Sequence, residues 1–252
     1  EKTCYFGGSA YSPEICRFGN APEALIWGDS YAMHIVSAIK AANPALSFGQ
    51  ATKPFCGPLL GLAPLHRKYA DRAWAGGCIS FNDSVYRYLI SDPAIKTVIL
   101  SSIFSQYVGD DARLLVGDKA MPRDLETVIS AFKETINAIE ALGKKVVVIS
   151  PPPTTGQEIG QCLGRATMRD IPAQICNFPL QKAEKVRNKI LYTLGQIEAQ
   201  GTEVRWLSDV MCSAGECAAS TGDIFLYRDD GHLSGAGSDY LGRSSAFFRI
   251  PR

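Results

Sequence analysis

Five short apolar or β-branched runs punctuate the 252 residues, at 24–28, 46–52, 96–102, 144–150 and 203–207. Runs of that length without alternation are what strands buried on both faces look like. Between and after them lie stretches with helical periodicity, at 31–42, 79–91, 125–142, 180–200 and 235–248. In the third of these, Val128, Ala131, Phe132, Ile136, Ile139 and Leu142 recur at three- and four-residue steps, which places them on one helix face, and Gly143 follows as a C′ stop. Strand-helix alternation of this kind predicts an α/β fold: a three-layer α/β/α sandwich around a parallel sheet of about five strands with right-handed crossovers. With 46% of its residues hydrophobic, the chain has enough apolar surface for one core, so a single domain over 1–252 is expected.

The eight cysteines fall into four sequence-local pairs: Cys4 with Cys16, Cys56 with Cys78, Cys162 with Cys176, and Cys212 with Cys217. No CxxC occurs and only three histidines are present, which argues against a structural zinc site. Disulfides fit better, and the local pairing is the expectation because each bond closes a short loop; eight free core thiols are the competing reading. Disulfides persist outside the reducing cytosol. Residues 1–23 then read as a disulfide-braced N-terminal extension. The first residues lack the apolar region of an export signal, so an upstream segment is expected to have delivered the domain. Twenty-six basic residues nearly cancel 25 acidic ones, leaving no field to attract nucleic acid, and no apolar run approaches the roughly 18 residues needed to span a bilayer.

Two segments depart from the alternation, 53–78 with Pro54, Pro58 and Pro64, and 151–178 opening on Pro151-Pro152-Pro153. Both are expected to be loops leaving the carboxyl ends of strands, where open parallel sheets place their ligand sites.

Gly28-Asp29-Ser30 ends the first strand and opens a helical pattern. Glycine permits a tight turn, and a serine at a helix start meets exposed N–H groups that favour developing negative charge. In isolation the tripeptide also reads as a turn with a helix cap. Near the other end stands Asp229-Asp230-Gly231-His232-Leu233-Ser234. An Asp-x-x-His spacing lets one short loop supply a histidine base and the carboxylate that holds its tautomer; a solvated loop capped by Ser234 is the plain alternative. Asp229 matches that spacing and Asp230 is its competitor. Together the motifs make Ser30 a nucleophile, His232 its base and Asp229 the orienting acid.

These blocks resemble the first and last blocks of the SGNH hydrolase superfamily. More narrowly, Leu25-Ile26-Trp27-Gly28-Asp29-Ser30, Cys56-Gly57-Pro58-Leu59 and Asp229–Ser234 resemble the periplasmic SGNH domains fused to membrane acyltransferase-3 proteins. The resemblance implies a flavodoxin-like SGNH fold and a serine-dependent O-acetyltransferase. An acetyl group, supplied from a membrane acyltransferase-3 domain of the same polypeptide, would pass through an acyl-serine to a hydroxyl of a surface glycan such as lipopolysaccharide O-antigen. It implies a periplasmic location beside the inner membrane, no cofactor and no metal. The second block maps onto Gly57, whose N–H is the expected oxyanion donor. The third block should supply an asparagine after the 96–102 strand, yet the sequence there is Ser101-Ser102-Ile103-Phe104-Ser105-Gln106-Tyr107. Ser105 or Gln106 is the expected substitute. His34 is a possible pocket-lining residue, His66 a contact for sugar hydroxyls, and Trp74, Phe104 and Tyr107 possible stacking rings. Two other functions stay open: a carbohydrate acetyl esterase, with water as acceptor, and a glycan-positioning module without turnover.

Overall fold

The computed structural model describes Cys4 and residues 6–251. Its strands are β1 (Arg17–Phe18), β2 (Ala24–Gly28), β3 (Phe48–Thr52), β4 (Leu62–Leu65) and β5 (Thr97–Ser101). They continue with β6 (Arg113–Val116), β7 (Lys119–Pro122), β8 (Lys145–Ile149), β9 (Phe178–Pro179) and β10 (Glu203–Arg205), and four two-residue strands follow at Cys212–Ser213, Glu216–Cys217, Ser220–Thr221 and Ile224–Phe225. The helices are α1 (Ser30–His34), α2 (Val36–Ala42), α3 (Arg72–Ser91), α4 (Ser105–Val108) and α5 (Leu125–Glu140). After these come α6 (Ile159–Met168), α7 (Leu180–Val186), α8 (Asn188–Glu198), α9 (Ser208–Met211) and α10 (Gly235–Ser244).

The central sheet has the order β1-β3-β2-β5-β8-β10. Its five strands from β3 to β10 are parallel and coincide with the five apolar runs of the sequence. Side chains alternate across it as strand geometry requires. Leu25, Trp27, Val98, Leu100, Val146 and Val148 pack on one face with Phe81 of α3, Phe132 of α5 and Leu194 of α8. Ala24, Ile26, Ile99, Val147 and Ile149 turn to the other face, against Ile35, Ile39, Leu163 of α6 and Leu241 of α10. Helices on both faces make the three-layer sandwich.

The sixth strand, β1, comes from the N-terminal extension and pairs antiparallel with β3, Arg17 opposite Gly49. All four expected disulfides are present, with Cα separations of 5.2 Å for Cys4–Cys16, 5.7 Å for Cys56–Cys78, 5.8 Å for Cys162–Cys176 and 3.9 Å for Cys212–Cys217. Among the described residues no helix is long and apolar enough to cross a membrane.

Both segments read as loops carry structure. The 53–78 segment contains β4 and the first turns of α3, which begins at Arg72 because the Asp71 carboxylate accepts the Trp74 N–H as a cap. Strand β4 joins β6 and β7 in a three-stranded antiparallel sheet. The 151–178 segment folds into α6 and a 3-10 turn over Ala173–Cys176, cross-linked by Cys162–Cys176. The helical stretch expected over 180–200 is broken at Arg187, and the one over 31–42 at Ile35.

Candidate functional site

The site lies at the carboxyl end of β2, in the middle of the sheet. Gly28 comes so close to β5 that a Cβ there would sit 1.8 Å from the Ser101 carbonyl oxygen, so no larger residue fits. The chain turns at Asp29 and enters α1 at Ser30. As the first helical residue, Ser30 has an N–H with no partner one turn back, and it has no acceptor among the described residues. Ser30 Oγ lies 2.8 Å from His232 Nε2.

His232 stands on the loop between Tyr227 and α10, a loop closed on itself by an antiparallel bridge between Tyr227 and Leu233. Its Nδ1 is 2.9 Å from Asp229 Oδ2 and 3.0 Å from Oδ1. An ionised carboxylate only accepts, so Nδ1 carries the proton and Nε2 presents its lone pair to the Ser30 hydroxyl. The competing acid, Asp230, uses its backbone instead: its carbonyl accepts the Thr154 hydroxyl. Asp229 also accepts the His232 N–H (2.7 Å) and the Gly231 N–H (3.1 Å), while Arg228 reaches it from outside at 3.2 Å. Partial burial pushes this carboxyl up, but the two backbone N–H groups and the His232 ring outweigh it and hold the pKa down to about 2. Asp229 is therefore ionised across the neutral range.

Further residues fix the loop. Tyr31 packs on His232 with ring centroids 4.5 Å apart, and His34 meets the same ring edge-on at 5.7 Å. His34 Nδ1 accepts the Leu233 N–H at 3.1 Å, so its proton sits on Nε2; burial, then the neighbouring His232, lowers its pKa well below the ordinary value and keeps it neutral. From beneath, Gly160 of α6 donates to the Asp229 carbonyl, and a Cβ at Gly160 would lie 2.1 Å from the Arg228 carbonyl oxygen. The Pro151-Pro152-Pro153 run that leads there is itself anchored: Arg187 Nη1 donates to the Pro151 and Pro152 carbonyls, both at 2.7 Å, and the Tyr227 hydroxyl donates to Pro153 at 2.7 Å. Arg187 is 4% exposed and its charge faces carbonyl oxygens, so it holds the segment on which the Asp229–His232 loop rests.

The expected oxyanion residues are placed differently. The Gly57 N–H is donated to the Tyr107 hydroxyl at 2.9 Å, and a Cβ at Gly57 would collide with the Tyr107 ring. Gln106 turns inward: its Nε2 donates to Asp29 Oδ2 (3.0 Å) and to Ser102 Oγ (3.1 Å), spending both hydrogens. Ser105 is the half-buried first residue of α4. Of the proposed stacking rings, Phe104 and Tyr107 are 1% and 0% exposed and are core packing, while Trp74 and His66 belong to a partly exposed ring cluster.

Asp29 is the residue that sequence reasoning passed over. Its fully buried carboxylate accepts the Tyr31 N–H (2.8 Å), the Ser102 hydroxyl (2.6 Å), the Ile103 N–H (3.2 Å) and Gln106. Burial raises its pKa even though each of these bonds lowers it. It ties the turn that carries Ser30 to the turn after β5. Its position beside Ser30 was a usable signal, but three of its four partners lie more than 70 residues away in sequence.

The model of a family described as "SGNH domain (fused to AT3 domains)" matches residues 3–245. No curated protein matches the chain. Among solved structures, the periplasmic domain of the lipopolysaccharide acetyltransferase of Salmonella ser. Paratyphi A is similar, with a TM-score of 0.68 and 16% identity. That likeness covers 95% of this chain and 88% of the other, and it is a likeness of fold.

Proposed function

Because the chain belongs to the family of SGNH domains fused to AT3 domains, we propose that it is a serine-dependent O-acetyltransferase domain, working through an acetyl-serine at Ser30. The observation that carries this reading is the continuous relay from Ser30 Oγ through the His232 ring to Asp229, at 2.8 Å and 2.9 Å. In that scheme Ser30 Oγ attacks the acetyl carbonyl as its proton passes to His232 Nε2, and Asp229 stabilises the imidazolium. Collapse of the tetrahedral intermediate returns that proton to the leaving group and leaves acetyl on Oγ. An acceptor hydroxyl then gives its proton to Nε2 as it attacks, and Nε2 returns it to Ser30. The free Ser30 N–H is the donor for the oxyanion in both halves.

The acceptor in this proposal is a hydroxyl of a cell-surface glycan such as lipopolysaccharide O-antigen; the name of the similar Salmonella protein specifies lipopolysaccharide. The acetyl donor would come from a membrane acyltransferase-3 domain of the same polypeptide. The four disulfides suit a periplasmic setting.

Mass spectrometry of the domain after incubation with p-nitrophenyl acetate tests the nucleophile. An acetyl adduct on Ser30 that is absent from Ser30→Ala is the expected result. Neither adduct nor p-nitrophenol release would remove the acyl-serine and leave a glycan-positioning module.

A further inference from the structure

The segment following β3 holds a second group of side chains that the relay does not use. Phe55 stands at its centre, its ring centroid 5.9 Å from His66, 6.2 Å from Tyr69 and 6.1 Å from Trp74. His66 and Tyr69 stack at 4.8 Å with planes 19° apart. Tyr69 is 56% exposed, so the cluster is not core packing: its outer rings forgo burial that would stabilise the fold.

The arrangement is rigid. His66 and Ala70 exchange both backbone hydrogen bonds, at 2.8 Å and 2.9 Å, closing the tip between them. His66 Nδ1 accepts the N–H groups of Lys68 and Tyr69, both at 3.2 Å, which locks the ring and leaves the proton on Nε2. The Cys56–Cys78 disulfide clamps the base.

The cluster is also cationic. Lys68 Nζ lies 5.0 Å from the Tyr69 ring centre and Lys53 Nζ 5.4 Å from that of Trp74. Arg67 and Lys68 are the exposed cations of the 53–74 stretch, which has one acid, Asp71; Lys53 is 2% exposed with its Nζ donating to the Gly7 and Gly8 carbonyls, and Arg72 donates to the Asp118 carbonyl. The Asp71 carboxylate is already engaged in capping α3. The Lys53 N–H donates to the Gly28 carbonyl at 3.0 Å, which fixes the root of this segment two residues from Ser30.

We propose that this ring cluster is a saccharide-binding platform for an anionic sugar chain. A pyranose presents an apolar C–H face that packs on aromatic rings, His66 Nε2–H offers a donor to a ring hydroxyl, and Arg67 and Lys68 attract an acidic substituent. The platform holds the acceptor of the transfer reaction, and in that respect it rests on the proposed function.

Calorimetric titration of the domain with dextran sulfate, and with dextran of the same length, tests it. Dextran sulfate should bind, dextran at least tenfold more weakly. Tyr69→Ala and the Arg67→Ala/Lys68→Ala double variant should each lose at least tenfold, with p-nitrophenyl acetate turnover unchanged in both. No binding by the wild type, or binding that Tyr69→Ala leaves intact, overturns the platform; loss confined to the double variant marks a plain electrostatic surface and overturns it too. An acetyl-Ser30 adduct alongside platform-independent binding refutes the platform alone. Platform-dependent binding without an adduct refutes the acyl-serine alone.

Discussion

Removing the Asp29 carboxylate should unfold the chain more readily than any substitution in the relay itself. In Asp29→Ala, four donors lose their acceptor at a site with no solvent access: the N–H groups of Tyr31 and Ile103, the Ser102 hydroxyl and the Gln106 amide. At about 1 kcal/mol for each orphaned donor, the low end of the usual range, the loss is about 4 kcal/mol, a large part of the roughly 5–15 kcal/mol that holds a domain together. Asp29→Asn is a milder change. Its Oδ1 keeps the Tyr31 cap, Ser102 Oγ can rotate to accept, and the buried Gln106 Oε1, unpartnered in the wild type, becomes an acceptor once that amide flips. The Ile103 N–H is left facing an NH2 group and the flipped Gln106 turns its own NH2 to the place where Oε1 had no partner, so a loss of about 2–3 kcal/mol is expected, still below that of Asp29→Ala. A pH series adds a sign. Burial raises the Asp29 pKa above its unfolded value of about 4, so the folded chain binds the extra proton in that window. Wild-type stability relative to Asp29→Asn should then fall as pH rises from about 4 through the raised value. Equilibrium urea unfolding without reductant, followed by far-UV circular dichroism, measures all three proteins. An Asp29→Ala variant within about 1 kcal/mol of wild type at unchanged m-value would refute the hub.

Replacing the orienting acid, Asp229→Asn, should lower p-nitrophenyl acetate turnover by about 10³–10⁴ with the fold intact, because the amide no longer enforces the Nδ1–H tautomer; a loss under tenfold would contradict that role. The same pair reports on acid stability. The folded pKa of Asp229, about 2, lies below its unfolded value. Its stabilisation is complete above about pH 4 and disappears as pH falls towards 2, amounting to about 1 kcal/mol after solvent screening of a group this exposed. Acid titration of wild type against Asp229→Asn should show the two curves converging there. Arg187→Met leaves the Pro151 and Pro152 carbonyls without their donor and should cost about 2 kcal/mol in urea unfolding, part of the lost bonding being offset by removal of a buried cation; Arg187→Lys should recover some of it.

The central sheet and the relay were legible because their signals are local. A strand buried on both faces is an apolar run, and Ser30 and the Asp229–His232 pair each sit in a motif shorter than ten residues. Pairing each cysteine with its nearest neighbour succeeded for the same reason. What escaped was short or interrupted. Strand β1 has two residues and owes its place to β3, and α3 hid its first turns behind Gly76-Gly77, whose low helix propensity made the periodicity appear to start at Ile79. The β6–β7 hairpin turns on Gly117-Asp118, a recognisable hairpin signal, but between strands of only four residues it gave no alternation long enough to read. The oxyanion assignments of Gly57 and Gln106 met a different obstacle. They were carried over by position in a family pattern, and whether an N–H is free depends on contacts no pattern records, here the Tyr107 hydroxyl on Gly57 and Asp29 on Gln106.

That reorganisation bears on the choice between transfer and hydrolysis. With the Gly57 N–H and both Gln106 hydrogens engaged elsewhere, the Ser30 N–H is the backbone donor at the nucleophile available to meet an oxyanion, and each missing donor typically costs about 10²–10³ in rate. A weak oxyanion site slows attack by water and by a glycan hydroxyl alike, so it cannot by itself favour the glycan. What distinguishes the two acceptors is residence: water is present at a fixed concentration, whereas a bound glycan hydroxyl gains the effective concentration of an intramolecular reactant. A slow acyl-enzyme whose acceptor is held on the proposed platform would therefore transfer rather than hydrolyse. On this reasoning Tyr69→Ala should shift the outcome towards hydrolysis without changing the rate at which Ser30 is acetylated. An unchanged ratio of transfer to hydrolysis in that variant would separate the platform from the chemistry.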